Sequence, residues 1–494
     1  MKEKKKIRTW KKVLIILGGV VVLVMGTLAG ILVDGYLYGK NYDPKIAPKV
    51  ELNFNDSIKT MKAVGRGIYD EEGNRFDIKG VNFGNWLFQE GWMTVNSIGP
   101  IVDKNGHYTK VNEDGIVEEY EEMFQEEVDE HLRNNPNLTE EQIDELYEVY
   151  YSTYCTEVDF KNIKSIGFNT IRLPMYYRNF MEGPDDKLVM KENAFEKIDW
   201  FLEMAKKYDL RVILDMHGVV GGQSGFEHSG TRRIDFWDNE VYQEEMCILW
   251  SEIAKHYVTP IEEGGRVDLA STILSFDLIN EPVNRNTPST GKKQWDVMDK
   301  IYDAIREVNK EHIVCIEGVW FFTSAPDPKL YGWENIMYEY HLYNWSENIV
   351  SNEVVYDFLW ATLSVSDYEV PKFIGEFTFF NKEDNWIKWL NKYDEMGFGW
   401  TFWSYKTISL GWWDSSWGLA VQKLHLYNKD GVKYDETDTL KLDLRTATYD
   451  EIYEKWSKEY TDDLSTEENE GVYRFDGVTY KVMERYFAQD KFKA

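Results

Sequence analysis

The sequence has few cysteines and a deficit of basic residues. Three of its 494 residues are cysteine (Cys155, Cys247 and Cys315), and none of them forms a CxxC pair. This number and spacing exclude a disulfide scaffold and a cysteine-based metal site. Lysine and arginine together number 56 against 86 acidic residues, so the formal net charge is −30. A chain this acidic lacks the basic face that phosphate binding requires, so nucleic acid is not expected as a partner.

Several common catalytic motifs are also missing. No HExxH pattern and no cluster of Cys and His occurs, so we expect neither a protein-held metal nor a cofactor. The absence of a Gly-x-Ser-x-Gly motif disfavours a serine hydrolase. The glycine-rich segment at Gly221, Gly222 and Gly225 lacks the lysine of a phosphate-binding loop and the spacing of a dinucleotide-binding loop. No sequence feature indicates an obligate protein partner.

What the sequence does contain begins with an apolar run near the N-terminus. Residues 1–12 carry six lysines and one arginine against one glutamate, and residues 13–33 contain no charge. Such a run is long enough to span a bilayer, whereas the apolar core of a signal peptide is usually about 7–15 residues. We predict a basic cytoplasmic segment over 1–12 and a transmembrane anchor over 13–33, with the remainder extracellular at the cell membrane. The alternative is a long signal peptide that is cleaved before secretion.

The rest of the chain divides into a short connection and one large domain. Residues 34–60 contain Pro44 and Pro48 in a mixed polar context and are predicted to be a stalk. Residues 61–494 are predicted to be a single catalytic domain with insertions at about 100–155 and 420–470. The first insertion is very acidic, and a capping-box pattern at Thr139 predicts a helix within it. Its charge is best interpreted as a solvated face.

Eight β-rich runs alternate with amphipathic stretches in the large domain. This alternation is typical of βα units and a parallel sheet. The predicted strands are 78–83, 170–173, 211–216, 272–279, 313–316, 337–341, 372–377 and 399–403. Helical periodicity predicts helices over 195–208, 240–256, 294–309 and 383–396, and a capping box at Thr156 predicts another that ends at Gly167. Eight strands in this order favour a closed (β/α)8 TIM barrel in the α/β class.

Two glutamates follow apolar strands at positions where a TIM barrel has its active site. Glu281 follows the fourth predicted strand and Glu376 lies at the end of the seventh. A carboxylate is costly to bury unless it is paired or used. Two carboxylates facing each other across a barrel mouth suit glycosidic cleavage, with one as a proton donor of raised pKa and one as an ionised nucleophile. Alternatively, each could cap its strand or pair with a nearby arginine.

Other strand ends carry polar or aromatic side chains that fit a sugar site. Arg172, at the second strand end, could hold a nucleophilic carboxylate ionised through a charge-assisted hydrogen bond. Trp403, at the eighth, offers an indole face on which a sugar ring could stack. The remaining candidates at strand ends are His217, His341 and Tyr343. A single histidine in such a place is commonly structural, and the combination is what favours a site.

The segments from Lys79 to Tyr405 resemble glycoside hydrolase family 5, and in particular its exo-1,3-β-glucanase-like branch. The resemblance rests on residues 80–87, 154–160 and 215–226 together with the Asn-Glu-Pro and Gly-Glu-Phe segments around Glu281 and Glu376. It implies a retaining mechanism, in which Glu376 attacks the anomeric carbon and Glu281 protonates the leaving oxygen and then activates water.

The resemblance also implies roles in substrate binding. Asn280 would bind the sugar 2-hydroxyl, Tyr343 would orient Glu376, and Glu90 would bind a terminal glucose. Arg172, His217 and His341 would complete the surroundings of the cleaved sugar. The chain departs from the branch at Asn85, where glycine is usual, and at Gly91, where proline is usual. After Phe226, the pair Glu227 and His228 replaces Asp-Asn. Because these positions line the blind end of the branch's sugar pocket, linkage and exo mode are less firmly implied than the chemistry.

The sequence therefore predicts a retaining β-glycosidase that hydrolyses a β-linked glucan or glucoside, with exo-1,3-linkages favoured. One alternative is an endo-acting β-1,4-glucanase or β-mannanase, which would have an open cleft. A second alternative is a catalytically inactive surface protein that binds carbohydrate.

Overall fold

Eight parallel strands close into a barrel. In the computed structural model they are β1 (Lys79–Asn82), β2 (Thr170–Tyr176), β3 (Arg211–Gly218), β4 (Ile273–Asp277), β5 (Ile313–Glu317), β6 (Ile336–His341), β7 (Lys372–Glu376) and β8 (Gly399–Phe402). Each strand pairs with the next along the chain, and β8 pairs with β1. Every strand begins within one residue of its predicted start. The predicted TIM barrel is therefore confirmed.

The structure describes most of the chain beyond its N-terminal run. The described residues are 27, 29–31, 33–45, 55, 58–97, 123–283, 290–343, 352–380, 382–409, 417–423, 442–466 and 471–488. Outside the barrel, short strands pair as Lys62–Val64 with Gly67–Tyr69, Met181–Glu182 with Val189–Met190, Asn96–Ser97 with Leu442–Asp443, and Lys406–Ser409 with Ala420–Lys423.

The helices surround the barrel and fill its insertions. They are α1 (Gln125–Asn134), α2 (Glu140–Tyr154), α3 (Glu157–Ile166), α4 (Tyr177–Phe180), α5 (Glu196–Lys207), α6 (Glu240–His256), α7 (Lys292–Val308), α8 (Asn352–Ser366), α9 (Glu383–Met396), α10 (Tyr449–Trp456) and α11 (Val478–Phe487). All six predicted helices are present. The start of α3 follows the predicted capping box, in which the Thr156 N–H donates to Asp159 Oδ2 at 2.7 Å. Its end requires Gly167, which has φ +122° and faces Phe487 so closely that a Cβ would lie 2.6 Å away.

The end of the barrel where the strands begin is filled by apolar side chains. A buried cluster joins inward residues of five strands to the N-terminal hairpin that covers this end. Its members are Met61, Ile68, Ile78, Ile213, Leu274, Ile313, Cys315, Met337 and Phe373. A parallel barrel of this size has a packed interior, so polar functional groups are confined to the opposite end.

The described part of the predicted stalk lies against the barrel. Residues 33–41 are helical, and Tyr38 Oη donates to Asp367 Oδ2 at 2.8 Å. Tyr42 packs edge-on against Trp360 of α8, with ring centroids 5.2 Å apart. Arg75 donates to the backbone carbonyl of Pro44. Asp367 precedes β7 and Arg75 precedes β1, so these contacts lie at the apolar end of the barrel.

The predicted anchor and cytoplasmic segment fall mostly outside the described part of the chain. Residues 1–26, 28 and 32 are not among the described residues. Within the residues that the structure does describe, no helix combines the length and the hydropathy that crossing a bilayer requires.

The acidic insertion supports two loops at the mouth of the barrel. Its residues 98–122 lie outside the described residues, whereas α1 and α2 are described. Tyr150 of α2 donates its hydroxyl to the carbonyl of Asn85, in the loop after β1. The Glu126 N–H of α1 donates to the Gly230 carbonyl at 2.9 Å, in the loop after β3. Of the second predicted insertion, residues 424–441 lie outside the described residues, and α10 packs against α2.

Candidate active site

Arg172 lies at the centre of the barrel's polar end. It is fully buried on β2, and four carboxylates surround its guanidinium. Nη1 lies 2.9 Å from Glu376 Oε1 and 3.2 Å from Asp215 Oδ2. Nη2 lies 2.9 Å from Asp277 Oδ2, and Nε lies 3.0 Å from Glu339 Oε1. Burial opposes the charge, but these carboxylates outweigh it and hold the pKa of Arg172 well above its ordinary value.

Glu376 is held at both carboxylate oxygens. Oε1 accepts a hydrogen bond from Arg172 Nη1 at 2.9 Å, and Oε2 accepts one from the Tyr343 hydroxyl at 2.9 Å. The preceding residue must be glycine, because a Cβ on Gly375 would lie 1.6 Å from Glu339 Oε1. Gly375 therefore leaves room for the Glu339 carboxylate next to the Glu376 carboxylate at the end of β7. A carboxylate oriented this way is placed to attack an electrophilic carbon.

Glu281 is held between two histidines. It follows Asn280 in the loop after β4 and has φ +40°, which is uncommon for a residue with a side chain. Its Oε1 lies 2.8 Å from His341 Nδ1, and its Oε2 lies 3.0 Å from His228 Nε2. Its backbone N–H donates to the Glu317 carboxylate at the end of β5. The carboxylate and the backbone of Glu281 are therefore fixed from three directions.

The electrostatics of Glu281 differ from the sequence prediction. Burial alone would raise the pKa of its carboxyl, but His228 and His341 outweigh burial and hold that pKa well below its ordinary value. Burial lowers the pKa of His228, but Glu281 overcomes this and raises it to about 9. The pKa of His341 lies well above its ordinary value because Glu317, Glu376 and Glu281 surround it. The prediction that the proton donor has a raised carboxyl pKa is therefore wrong for this structure.

The two candidate catalytic carboxylates lie close together. A Glu281 oxygen, a Glu376 oxygen and a His341 nitrogen all lie within 4.8 Å of one another. A second group consists of Asp277, Cys315 and Glu339, in which one oxygen or sulfur atom of each side chain again lies within 4.8 Å of the others. Such spacing is compatible with metal ligation. In both groups, however, the donor atoms are already bound to one another or to Arg172, and we interpret them as hydrogen-bond clusters.

A further buried chain of contacts runs from Glu90 to β3. Trp92 Nε1 donates to Glu90 Oε2 at 2.7 Å, and His217 Nε2 lies 3.7 Å from Glu90 Oε1. His217 Nδ1 lies 2.7 Å from Asp215 Oδ2. The His217 ring stacks on Trp403 with centroids 5.4 Å apart at 14°. Burial raises the pKa of Glu90, and the pKa of His217 is raised by Asp215 despite its burial.

Two nitrogens in the site are available to a ligand. Asn280 Oδ1 accepts from Arg172 Nη2 at 2.9 Å, which orients the amide. Within the described part of the chain, Asn280 Nδ2 and His217 Nε2 are buried without a hydrogen-bond partner. A buried donor without a partner is costly, so these atoms are suited to the hydroxyls of a bound sugar.

The departures from the branch have structural explanations. Asn85 has φ +67°, a left-handed conformation that asparagine adopts more readily than most residues other than glycine. Its Oδ1 accepts the Glu90 N–H at 3.0 Å, which fixes the loop that carries Glu90. Phe226 is 38% exposed, and Glu227 begins a short 3-10 turn that contains His228. That turn brings His228 into the site, where the sequence placed it only through the resemblance to the branch.

The structure thus brings the predicted site residues to one end of the barrel. Sequence reasoning missed residues that share the site with them: Asn82, Asp215, Asp277, Glu317 and Glu339. Their signal was available, because each is a polar residue within or at the end of an apolar strand. The same reasoning that selected Glu376 would have found them.

Comparison with known proteins identifies the family. The family model for cellulase (glycosyl hydrolase family 5) matches residues 128–409, more than half of the chain. The chain belongs to this family. It is 26% identical over 291 residues to a beta-xylosidase of Phanerodontia chrysosporium, covering 58% of this chain and 52% of that protein. It is 30% identical over 245 residues to a glucan 1,3-beta-glucosidase of Lachancea kluyveri, covering 49% of this chain and 50% of that one.

This chain therefore spans about half the length of the curated relatives that it matches. Among solved structures, rutinosidase from Aspergillus niger is similar at 17% identity and a TM-score of 0.49. That similarity covers 76% of this chain and 98% of the rutinosidase chain.

Proposed function

We propose that this family 5 protein is a retaining β-glycosidase that hydrolyses β-glucan. The observation that carries the proposal is the separation of Glu281 and Glu376, whose nearest oxygens lie within 4.8 Å. Retaining glycosidases place their two carboxyl groups about 5–5.5 Å apart, whereas inverting enzymes need roughly 6.5–9.5 Å to admit a water molecule. The short separation favours a covalent intermediate over direct attack by water.

In the proposed reaction, a Glu376 oxygen attacks the anomeric carbon while the glycosidic C–O bond breaks. Glu281 donates a proton to the leaving oxygen, and a covalent glycosyl ester remains on Glu376. Water then attacks the same carbon, the ester bond breaks, and the proton from water returns to Glu281. Arg172 and Tyr343 support this sequence, because their hydrogen bonds fix the attacking carboxylate throughout.

For specificity, we propose exo-acting cleavage of 1,3-linked glucan ends. Glu90 supports this, because it is buried beside His217 and anchored by Trp92, where a terminal sugar would be held. Asn280 Nδ2 and His217 Nε2 are suited to bind the hydroxyls of that sugar. The name of the Lachancea relative supports the same linkage.

We further propose that the catalytic domain is extracellular and is held at the cell membrane by residues 13–33. The support is the basic segment followed by an uncharged run in the sequence. Tryptic digestion of intact cells tests this arrangement, with the expectation that the domain is degraded while a cytoplasmic marker survives. Release into the medium of protein that lacks the N-terminal apolar run would instead indicate signal cleavage.

Product analysis tests the activity and its mode. Full-length protein purified in detergent is incubated with laminarin, a soluble β-1,3-glucan, and the products are separated over time. Glucose as the first product is expected from an exo-acting enzyme. A ladder of oligosaccharides would retain the chemistry but overturn the exo assignment. No product from laminarin together with hydrolysis of β-1,4-glucan or mannan would overturn the linkage.

Azide rescue tests the roles of the two glutamates. We expect Glu376→Ala and Glu281→Ala each to lose at least about a thousandfold in kcat for the hydrolysis of an activated aryl glucoside. Azide should then give the α-glycosyl azide with Glu376→Ala and the β-glycosyl azide with Glu281→Ala. Glu141→Ala, at an exposed glutamate of α2, is the matched control and should retain full activity. Sugar binding without turnover in the unmodified protein would indicate an inactive binding protein.

A further inference from the structure

His228 lies close to the candidate acid/base, in the short turn that follows the largely buried loop after β3. Its Nε2 lies 3.0 Å from Glu281 Oε2, and its side chain is 20% exposed against 6% for Glu281. Ser224 Oγ lies 2.9 Å from the same nitrogen. His228 thus pairs with the Glu281 oxygen that His341 does not contact, and it is the more exposed member of the pair.

The turn that carries His228 is rigidly built. Ser229 Oγ donates to the Phe226 carbonyl at 2.7 Å and accepts from the Gly225 N–H at 3.2 Å. Gly230 closes the turn with φ +75°, and its carbonyl accepts the Glu126 N–H from the acidic insertion. The backbone of the turn is therefore fixed by contacts that do not involve a substrate.

We propose that His228 is the proton partner of Glu281, so that the two side chains share one transferable proton. This inference rests on the proposed function and deepens it. In the resting pair, the proton lies on His228 and Glu281 is ionised. As the glycosidic bond breaks, the proton moves from His228 Nε2 to Glu281 and from Glu281 to the leaving oxygen. When water attacks, its proton returns through Glu281 to His228.

This arrangement resolves the conflict between the position of Glu281 and its charge. Glu281 stands where the proton donor must stand, yet His228 and His341 stabilise its ionised form. A carboxylate held ionised cannot donate by itself, whereas a carboxylate paired with an imidazolium 3.0 Å away can relay a proton. His228 acts through Glu281 and is therefore a positioning and proton-holding residue.

The groups that face His228 favour its charged form. Glu281 comes from the loop after β4, Glu90 from the loop after β1, and Glu227 from the same turn as His228. The other Glu281 oxygen faces His341 Nδ1, which in turn lies 3.5 Å from Glu376 Oε2. Three carboxylates around one partly exposed imidazole explain why the shared proton persists above neutral pH.

The pH dependence of kcat/KM tests the role in the reaction. With phenyl β-glucoside, whose poor leaving group needs a proton, wild-type activity should fall only near pH 9, where the pair loses its proton. In His228→Asn, the alkaline limb should move down by at least about one pH unit, which lowers activity at least about threefold at pH 8.5. Activity at pH 5 should change little, because Glu281 can then hold the proton itself.

Two controls separate this role from a structural one. With 2,4-dinitrophenyl β-glucoside, whose leaving group needs no proton, His228→Asn should keep the wild-type alkaline limb. His256→Asn changes a histidine that pairs with Asp199, remote from the site, and should leave both profiles unchanged. An alkaline limb that is the same in wild type and in His228→Asn would overturn the proposal. So would an equal shift with both substrates.

A measurement that needs no activity tests the pair itself. In protein labelled with 13C-histidine, the His228 signal, assigned through its loss in His228→Asn, should titrate near pH 9. In Glu281→Gln, that midpoint should fall by more than about one unit. An ordinary imidazole midpoint, or no change in Glu281→Gln, would overturn the pairing. If no glucoside is hydrolysed but the paired titration is found, the proposed function fails and the proton sharing stands.

Discussion

The two ends of the same barrel interior are built from opposite chemistry. Where the strands begin, the interior is a buried apolar cluster that includes Ile213, Ile313 and Met337. Where they end, the interior is a buried ionic network around Arg172. The change from apolar to polar side chains occurs within single strands, because side chains two residues apart in a strand point to the same side.

Three strands show how abrupt this change is. On β3, Ile213 is followed inward by Asp215 and then His217. On β5, Ile313 is followed by Cys315 and Glu317, and on β6, Met337 is followed by Glu339 and His341. The apolar residues stabilise the fold through burial, whereas the buried polar residues need one another as hydrogen-bond and charge partners. A substitution should therefore have different consequences at the two ends.

The largest expected effect is at the centre of the ionic network. Arg172→Met should lower the free energy of unfolding by about 3–5 kcal/mol, because it leaves carboxylates buried without their shared cation. Urea denaturation followed by tryptophan fluorescence measures this. The comparison between the two ends would fail if the loss were no larger than that of a one-methylene deletion in the apolar cluster.

Glu317 should matter for activity through its hydrogen bond to the backbone of Glu281. Burial raises the pKa of its carboxyl well above the ordinary value, and it accepts the Glu281 N–H. Glu317→Leu should lower kcat/KM about tenfold to a hundredfold, because Glu281 loses the acceptor that holds its unusual backbone conformation. Glu317→Gln, which keeps an acceptor oxygen, should stay within a few-fold of wild type. Equal losses in the two variants would show that the charge matters instead.

The ionic end should also give stability that depends on pH, whereas the apolar end should not. The pKa of His228 is raised from 6.5 to about 9, so its contribution is fully present below pH 6.5 and is lost as the pH rises through 9. The difference in unfolding free energy between wild type and His228→Asn should therefore shrink by about 3 kcal/mol between pH 6 and 10. Urea denaturation at several pH values measures it, and a constant difference would contradict the expectation.

The smallest effect is expected in the apolar cluster. Ile213→Val removes one methylene from a fully buried position and should cost about 1 kcal/mol. Because no titrating group is changed, this cost should be the same at pH 6 and at pH 9. Thermal and urea denaturation at the two pH values provide the check. A cost that varied with pH would mean that the two ends are energetically coupled.

The sequence predicted the barrel well because its strands are short, buried and separated by periodic helices. α8 was not predicted, since its apolar and β-branched residues surround the helix and leave little amphipathic pattern. The site was predicted through residues that end strands and through family resemblance. The contact between His228 and Glu281 could not be predicted, because it depends on the path of a loop held by Ser229 and by the acidic insertion.

The helix at residues 33–41 fixes the end of the barrel at which the N-terminal part of the chain arrives. Its contacts through Tyr38 and Asp367 attach it at the end of the barrel where β7 begins, opposite the end that carries Glu281 and Glu376. Under the proposed attachment through residues 13–33, the chain would therefore reach the barrel at the end opposite its candidate active site, and the mouth of the barrel would face away from the attachment point.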